Sequence, residues 1–457
     1  MRFTGEVFTM FDLLMICIVI LPPLIAHRFS RRYCRDFDDI GHDDQAGRMY
    51  KMSWLTSILV TVQNTVPFYV LAAYYQKMTF LAACLQLLET PINFIGNYLQ
   101  TWLIITILTV TVIALLALYN LVTVMAWFRL DRLAKKNREA VPAQAKLYLR
   151  QFLGTMLPML VWTLGFTPLV VKVNNSFFTF LMLACFILLI HALSPLLVSI
   201  ANPTEKLNND EIETMTKELC QKAGVRYGRL SLLKYGNVRI ANAMVSGILP
   251  CFRRIYLTDL LVEKFTPEEV QGVLAHEIAH LKKRHLLWLL GFGTVGITVI
   301  SPLAEYLGRL YGSAEIISLL TFIIYWSVLF SFCSRIFERQ ADRCAVELTG
   351  NPEALASALN KLAELNFVTK KWGKWDIFQS HPDMEKRIKY IRQFATPAWG
   401  EDRQAGGMEI IIPARIIVPT QIIVPTLQRG NASMNAPASR VTSLPILKTI
   451  FRGGISG

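Results

Sequence analysis

Seven apolar stretches run through this chain, at residues 8–27, 54–75, 98–128, 152–171, 177–200, 286–307 and 316–334. Each is close to or above the ~20 residues a helix needs to cross a bilayer. Inside hydrocarbon a backbone segment of that length satisfies its own N–H and C=O groups only as a helix, barrels aside. The sequence therefore reads as mainly α, a polytopic seven-helix membrane protein. With 53% hydrophobic and 18% charged residues, 457 positions are too apolar for a string of ordinary soluble domains. The stretch at 98–128 exceeds the bilayer requirement, so it is expected to tilt or to project into water.

Basic residues set the orientation. One cluster (Arg28, Arg31, Arg32, Arg35, Arg48, Lys51) follows the first stretch and another (Arg129, Arg132, Lys135, Lys136, Arg138, Lys146, Arg150) follows the third, whereas residues 76–97 carry Lys77 alone. The positive-inside rule then puts the N-terminus outside and both clusters in the cytoplasm, in an endoplasmic reticulum or bacterial inner membrane. This also accounts for the net charge of +14 without nucleic acid, which is excluded as a partner. Glu6 precedes the first stretch, Asp12 lies at its start and no small-residue cleavage site follows it, so it reads as a retained span. Eight cysteines without a C-x-x-C pair read as small hydrophobes in a reducing setting.

The expected organisation is spans one to five at 1–201, a soluble piece at 202–285, spans six and seven at 286–334, a second soluble piece at 335–400, and a tail at 401–457. In the first soluble piece, residues 204–223 read as a helix. Strand-like runs follow at 230–235, 238–245 and 253–257, punctuated by Gly228, Gly236, Gly247 and Pro250 as hairpins would be. A new helix is expected at Asn351-Pro352-Glu353. The tail repeats Ile-Ile-Pro or Ile-Val-Pro at 411–413, 417–419 and 423–425, and proline at that frequency forbids helix and weakens sheet. It is expected to be disordered or extended.

The chemistry centres on His276-Glu277-Ile278-Ala279-His280. Thr266 is a good N-cap, Pro267 suits the first helical position, and Glu269 can close a capping box. Val270, Leu274, Ile278 and Leu281 recur at helical spacing, leaving His276 and His280 together on another face. Two imidazoles four apart can grip one zinc ion, and Glu277 beside them can act as general base toward water. The bland alternative is a surface helix with two unconnected histidines. A third ligand should be anionic and on a helix held against the first. Glu338, in Glu338-Arg339-Gln340-Ala341-Asp342 where span seven ends, fits, and Asp342 can accept the outer N–H of a ligand histidine. His381, before Pro382 and followed by Arg387, can support the oxyanion of a tetrahedral intermediate, and Asn242 lies in a strand-like run that can align an extended peptide. Both ligand helices are expected to continue into spans six and seven, so the metal belongs at the cytoplasmic membrane boundary, where lipid-anchored or embedded substrates lie.

These residues resemble the membrane-embedded zinc endopeptidases of the type I CAAX prenyl protease group, relatives of the HtpX proteases. The resemblance covers roughly residues 1–398 and rests on His276-Glu277-x-x-His280, Glu338 to Asp342, Asn242-Ala243 and His381-Pro382. It implies a small α+β gluzincin-like protease domain on the cytoplasmic side and one zinc ion per chain. It also implies Glu277 as general base, Glu338 as third ligand, and Asn242 and His381 as transition-state contacts, with Arg387 as substrate or oxyanion support. The implied partners are peptide or protein substrates, prenylated or membrane-inserted, and membrane lipid. Two alternatives stay open: quality-control proteolysis of membrane proteins in the manner of HtpX, and a scaffold or channel with structural zinc. Gly291-x-Gly293-x-x-Gly296 lies inside span six without a preceding strand, so it reads as a helix-packing face rather than a nucleotide loop.

Overall fold

A computed structural model describes residues 10–75, 94–137, 140–166, 176–312, 314–368 and 384–395. His381 and the Pro-containing tail lie outside these residues. Four long helices open the chain: α1 (Met10–Cys34), α2 (His42–Tyr75), α3 (Phe94–Ala134) and α4 (Ala140–Val161), the last continued by a π-turn at Trp162–Phe166. Next is α5 (Ser176–Ala201). Among the described residues, three helical stretches are long and apolar enough to cross a membrane: Ile113–Ala134, Leu181–Ala201 and Leu320–Thr349. Gln63 of α2 is fully buried and donates to Thr123 Oγ1 of α3 at 2.8 Å, so this amide ties two helices together.

The first soluble piece departs from its expected outline. Residues 204–206 form a strand, β1 (Thr204–Lys206), and helix α6 begins only at Asp210, running to Ala223. Asn209 is the reason: its side chain accepts from Ile212 N at 3.0 Å, an N-cap that starts the helix there. The residues ahead of it are left to pair antiparallel with β2 (Arg229–Leu233). Strands β3 (Ala243–Ser246) and β4 (Arg254–Thr258) complete a sheet of order β1-β2-β4-β3. Only β3 and β4 form the expected hairpin; β2 and β4 are parallel neighbours. The run at 238–245 is strand only in its second half. A 3₁₀ turn occupies Gly236–Val238 and Arg239 is left-handed at φ 52°, so the chain reaches the sheet's outer edge before pairing.

Helix α7 (Asp259–Lys264) leads into α8 (Pro267–Lys282), which carries the histidine motif. The expected capping box is present: Thr266 Oγ1 accepts from Glu269 N at 3.3 Å and Thr266 N donates to Glu269 Oε2 at 3.0 Å. Expected continuity of α8 into span six is absent. The helix stops at Lys282, Arg284 turns left-handed at φ 57°, and α9 (His285–Val295) starts afresh. A π-turn (Gly296–Ile300) and α10 (Ser301–Leu310) extend it. A Cβ at Gly296 would overlap the rings of Tyr325 and Trp326, and Tyr325 donates to the Phe292 carbonyl at 2.7 Å. Of the glycine motif there, Gly296 is the position that packs helix against helix, while a Cβ at Gly291 would meet open space.

Helix α11 (Ala314–Phe322), a π-turn (Ile323–Leu329) and α12 (Phe330–Thr349) form one unbroken helical run. Gly350 ends it at φ 68°, and Asn351 caps α13 (Pro352–Leu365) by accepting from Ala354 N at 3.0 Å. Helix α14 (Met384–Arg392) closes the described part. The core around α8 is built from Leu257, Leu261, Leu274, Ile278, Ala345, Val346 and Leu355, all 2% exposed or less. Burying each Leu, Ile or Val contributes roughly 1.5–3 kcal/mol. Gly272 lets α8 approach α13 closely, because a Cβ there would lie 3.1 Å from Leu355 Cα.

Candidate metal centre and groove

Val270, Val273, Leu274 and Ile278 are buried in the core where α8 packs on α6 and α13, and this fixes the helix's rotation. That rotation turns the other face, with His276 and His280, toward α12. His276 Nε2 lies 3.2 Å from His280 Nε2 and 3.5 Å from Glu338 Oε2, and His280 Nε2 lies 3.8 Å from Glu338 Oε1. A tetrahedral ion with bonds of ~2.0–2.1 Å sets its donors about 3.3–3.4 Å apart. The observed spacing and the two-imidazole, one-carboxylate donor set therefore fit zinc. Among the described residues, this is where at least three such groups converge within 4.8 Å.

Behind the donors stand two charged supports. Asp342, fully buried one turn after Glu338, lies 3.0 Å from His276 Nδ1, though off the straight line of a hydrogen bond. Arg387 of α14 donates to both Asp342 oxygens at 2.9 and 2.7 Å and lies 3.1 Å from Glu338 Oε2. Burial alone would push the Asp342 carboxyl up, but the Arg387 charge and its hydrogen bonds hold it below the usual carboxylate range. Burial also works to lower His276, yet Asp342 and Glu338 outweigh it and raise the ring to about 10. His280 goes the other way, down to about 3, first through burial and then through its cationic neighbours.

A cavity of about 540 Å³ opens onto these groups. Glu277 lines it, one residue from His276 and half-buried. The sheet's edge strand β3 forms one wall with the exposed Asn242 just before it, and Leu355, Leu359 and Leu362 of α13 contribute an apolar side. Asn242 is not in the strand itself. Its backbone N–H donates to Thr258 Oγ1 at 2.9 Å and its carbonyl accepts from Thr258 N at 3.0 Å. Asn366 holds the preceding residue on both sides: its Oδ1 accepts from Ala241 N and its Nδ2 donates to Ala241 O.

Of the residues singled out from sequence, His276, His280, Glu338, Arg387, Glu277 and Asn242 thus line one cavity, Asp342 is buried behind His276, and His381 lies outside the described residues. Two further polar side chains touch the cluster without having been singled out. His285 Nδ1 is 2.9 Å from His280 Nδ1, and Gln340 Oε1 is 3.1 Å from His285 Nε2. Helical spacing gave no signal for His285. Five positions along an unbroken helix is about 140° off the His280 face, and only the left-handed Arg284 swings the ring back.

The model of Peptidase family M48 matches residues 206–395. A "Protease HtpX homolog" from Bacteroides fragilis (strain YCH46) is 30% identical over 234 residues, covering 42% of this chain and 71% of the relative. A "Protease HtpX homolog 2" from Methanosarcina acetivorans is 29% identical over 219 residues, 40% of this chain and 72% of the relative. Among solved structures, S. mikatae Ste24p matches with a TM-score of 0.52 at 16% identity, covering 84% of this chain and 99% of that one. At that identity the likeness is one of fold.

Proposed function

Because this chain belongs to peptidase family M48 and is accordingly a metallopeptidase, we propose that it is a membrane zinc endopeptidase in which His276, His280 and Glu338 hold one ion. The observation that carries this is the convergence of the three donors at 3.2–3.8 Å beside Glu277 and an open groove. When bound, zinc supplies Lewis-acid polarisation of the scissile carbonyl and acidifies a water. Glu277 takes the proton from the attacking water and passes it to the departing amide nitrogen. Asp342 orients the His276 ring, and Arg387 holds Asp342 and Glu338 against each other's repulsion. Asn242, at the open edge of the sheet, and His381 steady the oxyanion, while an extended substrate pairs with β3 and leaves side chains against Leu355 and Leu359.

The substrate is proposed to be membrane-associated, in the manner of a prenylated C-terminus. Exposed Leu287 and Trp288 at the start of α9 support a groove opening at lipid level, in a seven-span protein whose N-terminus is outside and whose catalytic part is cytoplasmic. Identity to proteins named HtpX homologs supports a second reading, cleavage of damaged membrane proteins. The test compares hydrolysis of a farnesylated peptide, its unprenylated twin and an unfolded membrane segment by purified protein in detergent. Glu277→Gln is expected to lower every rate by ~10²–10⁴-fold, and intact turnover in that variant refutes the mechanism. Equal rates on the prenylated peptide and the unfolded segment refute the prenyl preference.

A further inference from the structure

The chemistry proposed above leaves one histidine of the cluster without a task. His285 is 2% exposed and its ring stacks on Phe337 at 4.5 Å and 12°. Its two nitrogens make separate contacts, Nδ1 with His280 Nδ1 at 2.9 Å and Nε2 with Gln340 Oε1 at 3.1 Å. We propose that His285 is a positioning residue for His280, holding that ring in the one tautomer that turns a bare Nε2 toward the ion, with Gln340 anchoring His285 in turn. This inference rests on His276, His280 and Glu338 forming a metal site.

The direction of each hydrogen bond is forced. His280 Nε2 is the nitrogen that faces the other donors, so as a ligand it carries a lone pair there, and the ring's proton sits on Nδ1. That N–H donates, and the atom it meets is His285 Nδ1, which accepts only if the proton of His285 is on Nε2. His285 Nε2–H then donates to Gln340 Oε1, an amide oxygen that can only accept. In the other tautomer, His280 would push an N–H into the donor cluster and leave Nδ1 as a second acceptor facing His285 Nδ1. Stacking on Phe337 explains the plane of the His285 ring, but not why both nitrogens meet complementary partners.

One stretch of α12 would then serve the whole site: Glu338 as donor, Asp342 behind His276, and Gln340, through His285, behind His280. Outer partners of metal-bound histidines fix tautomer and orientation, and their loss costs roughly 10–100-fold in metal affinity.

The test is zinc affinity of the purified full-length protein, measured by competition with a chelator. In His285→Leu, which fills the space without an acceptor, affinity is expected to fall about 10–100-fold. His285→Asn keeps an acceptor oxygen near the place of Nδ1 and is expected to stay within about threefold of wild type. Gln340→Leu, at an exposed position, should weaken binding less than His285→Leu and add nothing on top of it. Melting temperatures of the metal-free Leu and Asn variants should agree. Wild-type affinity in His285→Leu, or an equal loss in the Leu and Asn variants, overturns the inference and leaves the metal site standing. Should His285→Leu fail to fold, unchanged affinity in Gln340→Leu overturns it. A wild-type protein that binds no zinc overturns the metal reading and this inference together.

Discussion

Replacing Arg387 with methionine keeps the unbranched apolar stem and removes the charged guanidinium. Arg387 is 6% exposed, Asp342 0% and Glu338 7%, and the guanidinium makes two charged hydrogen bonds to Asp342 and a 3.1 Å contact to Glu338. On a surface such a cluster would be worth ~0–1 kcal/mol. Here burial decides the magnitude. Hydrogen bonds to charged groups contribute roughly 1.5–3 kcal/mol each, and stranding one partner of a buried pair costs about 3–5 kcal/mol. The metal-free variant should therefore lose about 3–5 kcal/mol. For a unit spanning the family-matched residues 206–395, at ~2–4 °C per kcal/mol, that is a fall of about 6–20 °C in Tm. The assay is tryptophan fluorescence during heating in detergent with chelator present. Arg387→Met/Asp342→Asn should recover part of the loss, since the more deeply buried of the two stranded carboxylates is gone. A loss under ~1 kcal/mol, or no recovery in the double variant, refutes the claim that Arg387 neutralises a buried carboxylate pair.

Other outcomes follow from the packing around α8. Burial works to raise the Glu269 carboxyl, but Lys361, Ser357 and the Thr266 backbone together hold it below its usual range. A depressed folded-state value stabilises above the unfolded value and is lost as pH falls through the folded one, so wild type should lose stability below about pH 5 more steeply than Glu269→Gln. Parallel pH–Tm curves would contradict this. Thr266→Ala removes the cap acceptor and should cost ~0.5–2 kcal/mol by denaturant unfolding; no change would argue against the box. Gly272→Ala drives a methyl to 3.1 Å from Leu355 Cα and should cost about 1–3 kcal/mol, with an unchanged midpoint as the contrary result.

Local chemistry explains which parts were legible in the sequence. The capping box at Thr266 and Glu269, the apolar stripe and the paired histidines all lie within one helix, where spacing fixes geometry. Glu338 and Asp342 were reachable because a ligand chemistry was left unfilled and one helical turn separates them. Non-local pairing was not legible. β1 looked helical because the cap at Asn209 is a single side chain, and the parallel match of Arg229–Leu233 with Arg254–Thr258 skips over an intervening strand. No glycine or proline marks the break at Lys283-Arg284, so α8 seemed to run on, and His285 stayed off the metal-binding face.

X-ray absorption at the zinc edge of the purified wild-type protein addresses the donor set itself. Two imidazole nitrogens and oxygen at ~2.0–2.2 Å, with one zinc per chain, are expected from His276, His280 and Glu338. Sulfur at about 2.3 Å, which would have to come from a cysteine such as Cys344, or a protein free of zinc, would contradict it.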